Sequence, residues 1–173
     1  GSEMCIRDRS IGYRGQADHP RLFQRAETKV ARMMNPNPEQ VFQLVDTYMG
    51  GPFRWGKEDC LIGCANVFLA LTGKDIAAEV RGKYSTEKEA ATLLSEYGGS
   101  LMIFIACRAL VADATRAKPG ISPPPGALGV SPREFSVGLD GRCTSIHIGN
   151  NVWATKAARG FALSATAEDF WYA

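Results

Sequence analysis

Cysteine is the side chain of this sequence best suited to chemistry, and one of its five cysteines stands out by position. Cys60 follows Asp59 at the start of the apolar segment 61–71. Because aspartate is a favoured N-cap residue, the pattern predicts a helix that begins here, with Cys60 in its first turn. Backbone N–H groups and the positive end of the helix dipole favour a thiolate at such a position. We therefore expect Cys60 to be a nucleophile.

Two other interpretations of the cysteines stay open. A cysteine on a helix is often an inert buried side chain, which is what we expect of Cys64 and Cys107. The spacings of Cys60 with Cys64 and of Cys143 with His147 also resemble two pairs of zinc ligands. Residues four apart on a strand lie about 13 Å apart, too far to share one ion. We therefore predict no metal site, and no cofactor is implied.

A cysteine nucleophile usually needs a general base, and the sequence has one histidine beyond its first twenty residues. His147 lies in the segment 142–149, where alternating side chains predict a strand. The alternation places Cys143 and Ser145 on the same face as His147. A single histidine on a strand is often structural, so His147 is a candidate base with a structural alternative.

The residues around Cys60 resemble a known family. Trp55-Gly56, a short spacer and Asp59-Cys60 are similar to the nucleophile segment of NlpC-like, papain-superfamily cysteine peptidases. Leu71-Thr72-Gly73-Lys74-Asp75, Arg81-Gly82-Lys83-Tyr84 and Gly98-Gly99 narrow the resemblance. Together they resemble a phage- and prophage-associated domain family of unassigned function that is related to those peptidases. The resemblance extends over about 41–172.

The resemblance implies an α+β, papain-like fold of NlpC type, with N-terminal helices packed on a small antiparallel β-sheet. It implies a cysteine hydrolase, a peptidase or amidase that acts on peptidoglycan peptides, with Cys60 and His147 as catalytic residues. The alternative is a catalytically degenerate structural or adaptor component of a phage tail. The implied partners are peptidoglycan peptides or phage tail proteins, and the implied location is the cytoplasm on synthesis and the virion afterwards.

Some positions depart from the family pattern His-x-x-Ile-x-Ile-Gly-Asn. When Ile148-Gly149-Asn150 is aligned with the end of that pattern, Cys143 occupies the histidine position. His147 then lies four residues later, at the wrong end of the strand. The third polar position of the family falls at Thr155, which we keep as a catalytic candidate although threonine orients an imidazole poorly.

Three further residues are assigned by their place in the resemblance. Trp55 is expected to form a wall of the substrate cleft. Asp59 is expected to cap the helix and organise the loop before it, and Asp59 and Cys143 are substrate-binding candidates by position. Phe53 stands where the peptidases often have a tyrosine that helps to bind the oxyanion.

Composition predicts one domain with an extension before it. The chain has 173 residues, a mass of 18.8 kDa and a formal net charge of +2. The sequence has no dense run of Lys and Arg, so this charge does not indicate that the protein binds nucleic acid. The longest apolar run, 101–106, is too short to span a membrane. We expect residues 1–20 to be a non-native or disordered leader, 21–37 a helical extension and 38–173 the NlpC-like domain. Five cysteines without a compact framework indicate reduced thiols.

The predicted elements follow an α+β order, with helices before strands. A capping box is expected at Thr86 and Glu89, hairpin turns at Asp140-Gly141 and Asn150-Asn151, and a surface loop over 114–125. Helices are predicted at 21–34, 38–49, 60–71, 87–97 and 101–111, with a short one at 76–80, and strands at 127–131, 135–139, 142–149, 151–155, 161–163 and 170–172.

Overall fold

A computed structural model describes residues 35–99, 115–116, 122–132, 142–164, 167 and 169–172. The described elements confirm the α+β class. The helices are α1 (Pro38–Met49), α2 (Cys60–Thr72) and α3 (Glu87–Tyr97), and the strands are β1 (Thr115–Arg116), β2 (Leu128–Pro132), β3 (Arg142–Gly149), β4 (Val152–Lys156), β5 (Phe161–Ser164) and β6 (Asp169–Tyr172). The predicted leader, the helices at 21–34 and 101–111, the strand at 135–139, the turn at 140–141 and Cys107 lie outside the described residues.

The helices begin and end at residues that satisfy their terminal backbone groups. Asn37 and Gln40 form a reciprocal capping box at the start of α1, with N···O distances of 2.9 and 3.0 Å. Asp59 caps α2, which ends at Gly73 in the left-handed conformation. Thr86 caps α3 by accepting the N–H of Glu89. These local signals explain why the bounds of the three helices agree closely with the bounds predicted from the sequence.

Thr86 caps α3 as predicted, and the carboxylate of Glu89 also accepts from the backbone N–H of Ser85 at 2.7 Å. One local prediction was wrong, because the segment 76–80 forms turns rather than a short helix. There the side chain of Asp75 accepts from the backbone N–H of Ala77 and offers the backbone an alternative partner.

The strands form one sheet of antiparallel pairs in the order β1-β6-β2-β3-β4-β5. The predicted turn at Asn150-Asn151 is confirmed, since both residues have positive φ angles, of 51° and 59°, between β3 and β4. The predicted loop over 114–125 contains a short strand, because Thr115 and Arg116 pair with β6. That pairing depends on residues about fifty positions away, which local patterns do not reveal.

The core lies between the helices and one face of the sheet. The second helix, α2, is buried on nearly every side. A Cβ atom added at Gly63 would lie 3.0 Å from Cγ of Met49, which confirms that Gly63 is a close-packing position between α2 and α1. The sheet face that meets the helices presents apolar side chains, namely Leu128, Val130, Ile146, Ile148 and Ala154. Among the described residues, no helix is long and apolar enough to cross a bilayer.

Candidate thiol site

The loop 50–59, which leads into α2, is held by hydrogen bonds to the end of β4 and the turn that follows it. The buried ammonium group of Lys156 donates to the carbonyl oxygens of Met49, at 2.7 Å, and Gly51. The N–H of Phe53 donates to the carbonyl of Ala158 at 3.0 Å. Burial lowers the pKa of Lys156, so two carbonyl dipoles at the end of α1 are needed to hold its charge. These contacts fix the approach of the chain to Cys60.

Asp59 organises the end of this loop and the start of α2. Its Oδ1 accepts from the N–H groups of Leu61 at 3.0 Å and Ile62 at 2.9 Å. Its Oδ2 accepts from the N–H of Gly56 and the hydroxyl of Tyr84, each at 2.7 Å. With 1% of its surface exposed, the carboxylate is fully committed to these four donors. The predicted role of Asp59 as a cap and loop organiser is confirmed.

Cys60 is the first residue of α2 and is half-buried, but its environment disfavours the thiolate. Burial raises the pKa of Cys60, and the negative charge of Asp59 raises it further. Hydrogen bonds from the backbone of Thr144 and Leu61 act in the opposite direction and are smaller. The expectation of a thiolate was therefore wrong. The N-cap of α2 is itself an anion, and it takes the N–H groups that would otherwise stabilise the sulfur.

Cys143 and Thr155 contact each other on the neighbouring strands β3 and β4, near the point where α2 packs on β3. The hydroxyl of Thr155 donates to Sγ of Cys143 at 2.9 Å and approaches the carbonyl of Thr144 at 3.3 Å. Sγ of Cys64 donates to the same carbonyl at 3.5 Å. The structure thus brings together Cys143 and Thr155, the positions that the family pattern assigns to the base and the third polar group.

His147 lies at the other end of the same helix–strand contact. Its backbone carbonyl accepts from the N–H of Gly126 at 2.7 Å. A Cβ atom on Gly126 would lie 2.8 Å from Cδ1 of Leu71, in the last turn of α2. Leu71 is eleven residues from Cys60, about 16 Å along a helix, and Cys143 is four residues from His147, about 13 Å along a strand. The structure therefore does not bring His147 to Cys60.

The His147 imidazole is sealed in the interior. It is 1% exposed, its Nδ1 lies 3.1 Å from the carbonyl oxygen of Pro124, and its ring centroid is 4.8 Å from that of Trp153. Because a carbonyl only accepts, Nδ1 carries the proton. In the part of the chain that the structure describes, Nε2 has no hydrogen-bond partner. Burial lowers the pKa of His147, so the ring is neutral.

Trp55 lies in the loop before α2, half-buried against the core. Its ring meets that of Phe53 edge to face, with centroids 4.7 Å apart. The pair precedes Cys60 in the same loop, and the role of Trp55 as a wall of a substrate cleft stays a prediction.

The cysteines and acids among the described residues do not form a metal site. No group of three or more His, Cys, Asp or Glu side chains is placed there to hold an ion. Cys60, Cys64 and Cys143 carry no disulfide.

Sequence reasoning missed two residues that support the site, Lys156 and Tyr84. Lys156 gives no signal in a strand pattern. Tyr84 ends a segment braced by Arg81, which donates to both oxygens of Asp75, at 2.6 and 3.0 Å, and to Oδ1 of Asn66 on α2 at 2.8 Å. The sequence segments 71–75 and 81–84 thus form a brace that delivers the Tyr84 hydroxyl to Asp59. Their presence in the family resemblance was the signal that could have indicated this role.

Comparison with known proteins adds a family but no activity. No curated protein matches the sequence. The model of a family described as a domain of unknown function (DUF6950) matches residues 33–124, more than half of the chain. The match includes the loop 50–59, α2 and the brace around Tyr84, and it ends before β2. The chain therefore belongs to the DUF6950 family.

Proposed function

We propose that this chain is a papain-like domain of NlpC type that no longer hydrolyses its ancestral substrate and works as a structural or adaptor component of a phage tail. The observation that carries the proposal is which residues occupy the family's catalytic positions after Cys60. At the positions where the peptidases have an imidazole and its orienting group, this chain has Cys143 and Thr155, joined by a hydrogen bond of 2.9 Å.

The arrangement of elements supports the NlpC-type ancestry. A largely buried helix begins with Cys60 and packs on an antiparallel sheet, and its second cysteine, Cys64, contacts the carbonyl of Thr144 near the start of β3. The two family positions on the sheet, Cys143 and Thr155, contact each other. Such a correspondence of spacing across 95 residues, from Cys60 to Thr155, favours descent from a cysteine peptidase over an unrelated buried thiol.

The chemistry of the site supports the loss of hydrolysis. Attack by sulfur on an amide needs a thiolate, or a base that removes the thiol proton as attack occurs. Burial and the charge of Asp59 raise the pKa of Cys60, so the thiol is protonated near neutral pH. Cys143 is a weaker base than an imidazole at that pH, and His147 is sealed at the opposite end of α2. Attack, acyl-enzyme formation and release by water would all lack a proton acceptor.

The oxyanion site is also reduced. Of the N–H groups that open α2, those of Leu61 and Ile62 donate to the Asp59 side chain and that of Gly63 donates to its backbone carbonyl. The Cys60 N–H is the helix-start donor that these bonds leave over. Phe53 supplies no hydroxyl where the peptidases often have a tyrosine. The loop 50–59 is held by many hydrogen bonds, and among the described residues no base is found beside the cysteine that follows it. These features are more typical of a structural protein than of an enzyme.

Hydrolysis of peptidoglycan stem peptides tests the proposal. We expect the full chain to release no more product than Cys60→Ala, and both to remain folded. Cys143→His should increase the labelling of Cys60 by iodoacetamide at neutral pH, because it restores an imidazole at the family position; Cys143→Ser is the matched control and should not. Cleavage by the natural chain that is lost in both Cys60→Ala and His147→Asn would overturn the proposal in favour of an active cysteine hydrolase.

A further inference from the structure

We propose that the segment 21–34 docks as a helix, antiparallel to α1, on an apolar patch formed by Phe42, Phe161 and Leu163. We call these three side chains the α1–β5 patch. The segment lies outside the described residues, so its own sequence and the patch carry the inference. Docking of this kind is independent of the proposed function, because an extension can cover the surface of an enzyme and of a scaffold alike.

The patch contains the large apolar side chains that are most exposed among the described residues. Phe42 on α1 is 42% exposed, and Leu163 on β5 is 49% exposed. The ring of Phe42 meets that of Phe161 edge to face, with centroids 5.7 Å apart. Leu163 follows Phe161 by two residues, so both side chains lie on one face of β5, roughly 7 Å apart. Ala154, which pairs with Leu163, belongs to the core, so this face is the one that carries the helices. Adjoining exposed apolar side chains of this kind mark a surface that binds another element.

The sequence of 21–34 predicts a helix with an apolar row and a basic row. Four apolar side chains recur at helical spacing and share one side, namely Leu22, Ala26, Val30 and Met33. Four basic side chains follow the neighbouring side, namely Arg21, Arg25, Lys29 and Arg32. A helix of about 14 residues is marginal in water by itself, so it needs a surface that buries its apolar row.

The connection to α1 brings the apolar row to the patch. Residues 35–37 separate the segment from α1, and connections of about two to five residues are typical of antiparallel helix pairs. Val30 precedes this connection by as many residues as Phe42 follows it. The two side chains therefore come level when the helices run antiparallel, because both helices rise equally per residue.

The charges of the two helices are complementary in the same register. Glu39 and Asp46 are exposed on α1, and Phe42 lies between them on the same side. Arg25 of the segment comes level with Asp46 to within one residue. Arg32 likewise comes level with Glu39. A second copy of the chain on this patch, related by a two-fold axis, would instead oppose these carboxylates to carboxylates. Charge therefore favours the chain's own extension as the occupant.

Hydrogen–deuterium exchange of the full chain, measured on peptides from 21–34, tests the docking. In the natural chain we expect these amides to exchange at least about tenfold more slowly than in an unstructured chain. Phe42→Ser and Leu163→Ser should each remove this protection, while the amides of α2 stay protected because the domain remains folded. Ala91→Ser, at an exposed position of α3, is the matched control and should leave 21–34 protected.

A charge reversal gives a second measurement on the same chain. Arg25→Glu should speed the exchange of 21–34 about threefold, because a weak attraction becomes a repulsion, and addition of Asp46→Arg should restore the slower rate. Exchange of 21–34 at the unstructured rate in the natural chain would overturn the proposal. So would protection that Phe42→Ser and Leu163→Ser leave unchanged, or protection that disappears on dilution, which would identify a second copy as the occupant.

Discussion

The two ends of the contact between α2 and β3 hold the residues best suited to catalysis in very different surroundings. At one end, Cys60 is half-buried beside a carboxylate that accepts four hydrogen bonds, and Thr155 bonds to the thiol of Cys143. At the other end, the His147 imidazole is closed in by Trp153 and the carbonyl of Pro124, with Nε2 unpartnered among the described residues. The Cys60 end therefore has many hydrogen bonds and is partly exposed to solvent, whereas the His147 end has few hydrogen bonds and is buried.

The difference shows that a sequence can contain a candidate nucleophile, Cys60, and a candidate base, His147, without the fold placing them close enough to act together. The distance between them is set by two regular elements, eleven residues of helix and four of strand, and neither element can shorten without losing its packing. The electrostatics differ as well, since burial raises the pKa of the thiol and lowers that of the imidazole. Each group is thus held in its neutral form near neutral pH.

Removal of the Asp59 carboxylate should damage the Cys60 end most. Asp59→Ala deletes the N-cap of α2 and leaves the N–H of Gly56 and the hydroxyl of Tyr84 without this acceptor. We expect a loss of about 3 kcal/mol in the free energy of unfolding, measured by urea denaturation. Tyr84→Phe removes one of the four bonds and should cost about 1 kcal/mol. Equal costs for the two variants would contradict the central role assigned to Asp59.

The buried ammonium of Lys156 is expected to come next. Lys156→Met keeps the length of the side chain but deprives the carbonyls of Met49 and Gly51 of their charged donor. We expect a loss of about 2 kcal/mol in unfolding free energy. The exposed Lys57 in the same loop is the matched control, and Lys57→Met should change stability by less than about 0.5 kcal/mol. A stabilised Lys156→Met variant would show that burial of the charge outweighs its hydrogen bonds.

The burial of His147 should make the free energy of unfolding depend on pH. The unfolded chain binds a proton near the ordinary histidine value of 6.5, whereas burial lowers the pKa of the folded imidazole. Stability should therefore fall as pH drops through 6.5, by at most about 1.4 kcal/mol per pH unit, until the folded pKa is reached.

His147→Asn keeps a donor for the Pro124 carbonyl but cannot titrate, so it should flatten this acid dependence in chemical denaturation curves. His19→Asn, which changes the other histidine of the chain, is the matched control and should retain the dependence. If the two variants behave alike, His147 is not the buried neutral group described above.

Sequence patterns anticipated the parts of this molecule that depend on neighbours in the chain. The caps at Asp59 and Gly73 act within one helical turn, so the bounds of α2 follow from them. The displacement of His147 from Cys143 was also foreseeable, because strand spacing alone determines it.

The parts that failed depend on residues far away in the chain. The pairing of β1 with β6 joins Thr115 to Tyr172, and no local pattern marks such a short strand. The expectation of a thiolate at Cys60 took the helix dipole into account but omitted the burial of the sulfur, which depends on how α2 packs, and the adjacent charge of Asp59. The bond from Tyr84 to Asp59 likewise spans 25 residues.

The pH dependence of Cys60 alkylation tests the central claim most directly. Iodoacetamide labelling of the full chain, followed by mass spectrometry of the Cys60 peptide, gives the fraction of thiolate at each pH. We predict a rate that keeps rising beyond the ordinary cysteine value of 9.0 and is unchanged in His147→Asn. A plateau of fast labelling below neutral pH that disappears in His147→Asn would contradict the account, because it would require a thiolate–imidazolium pair.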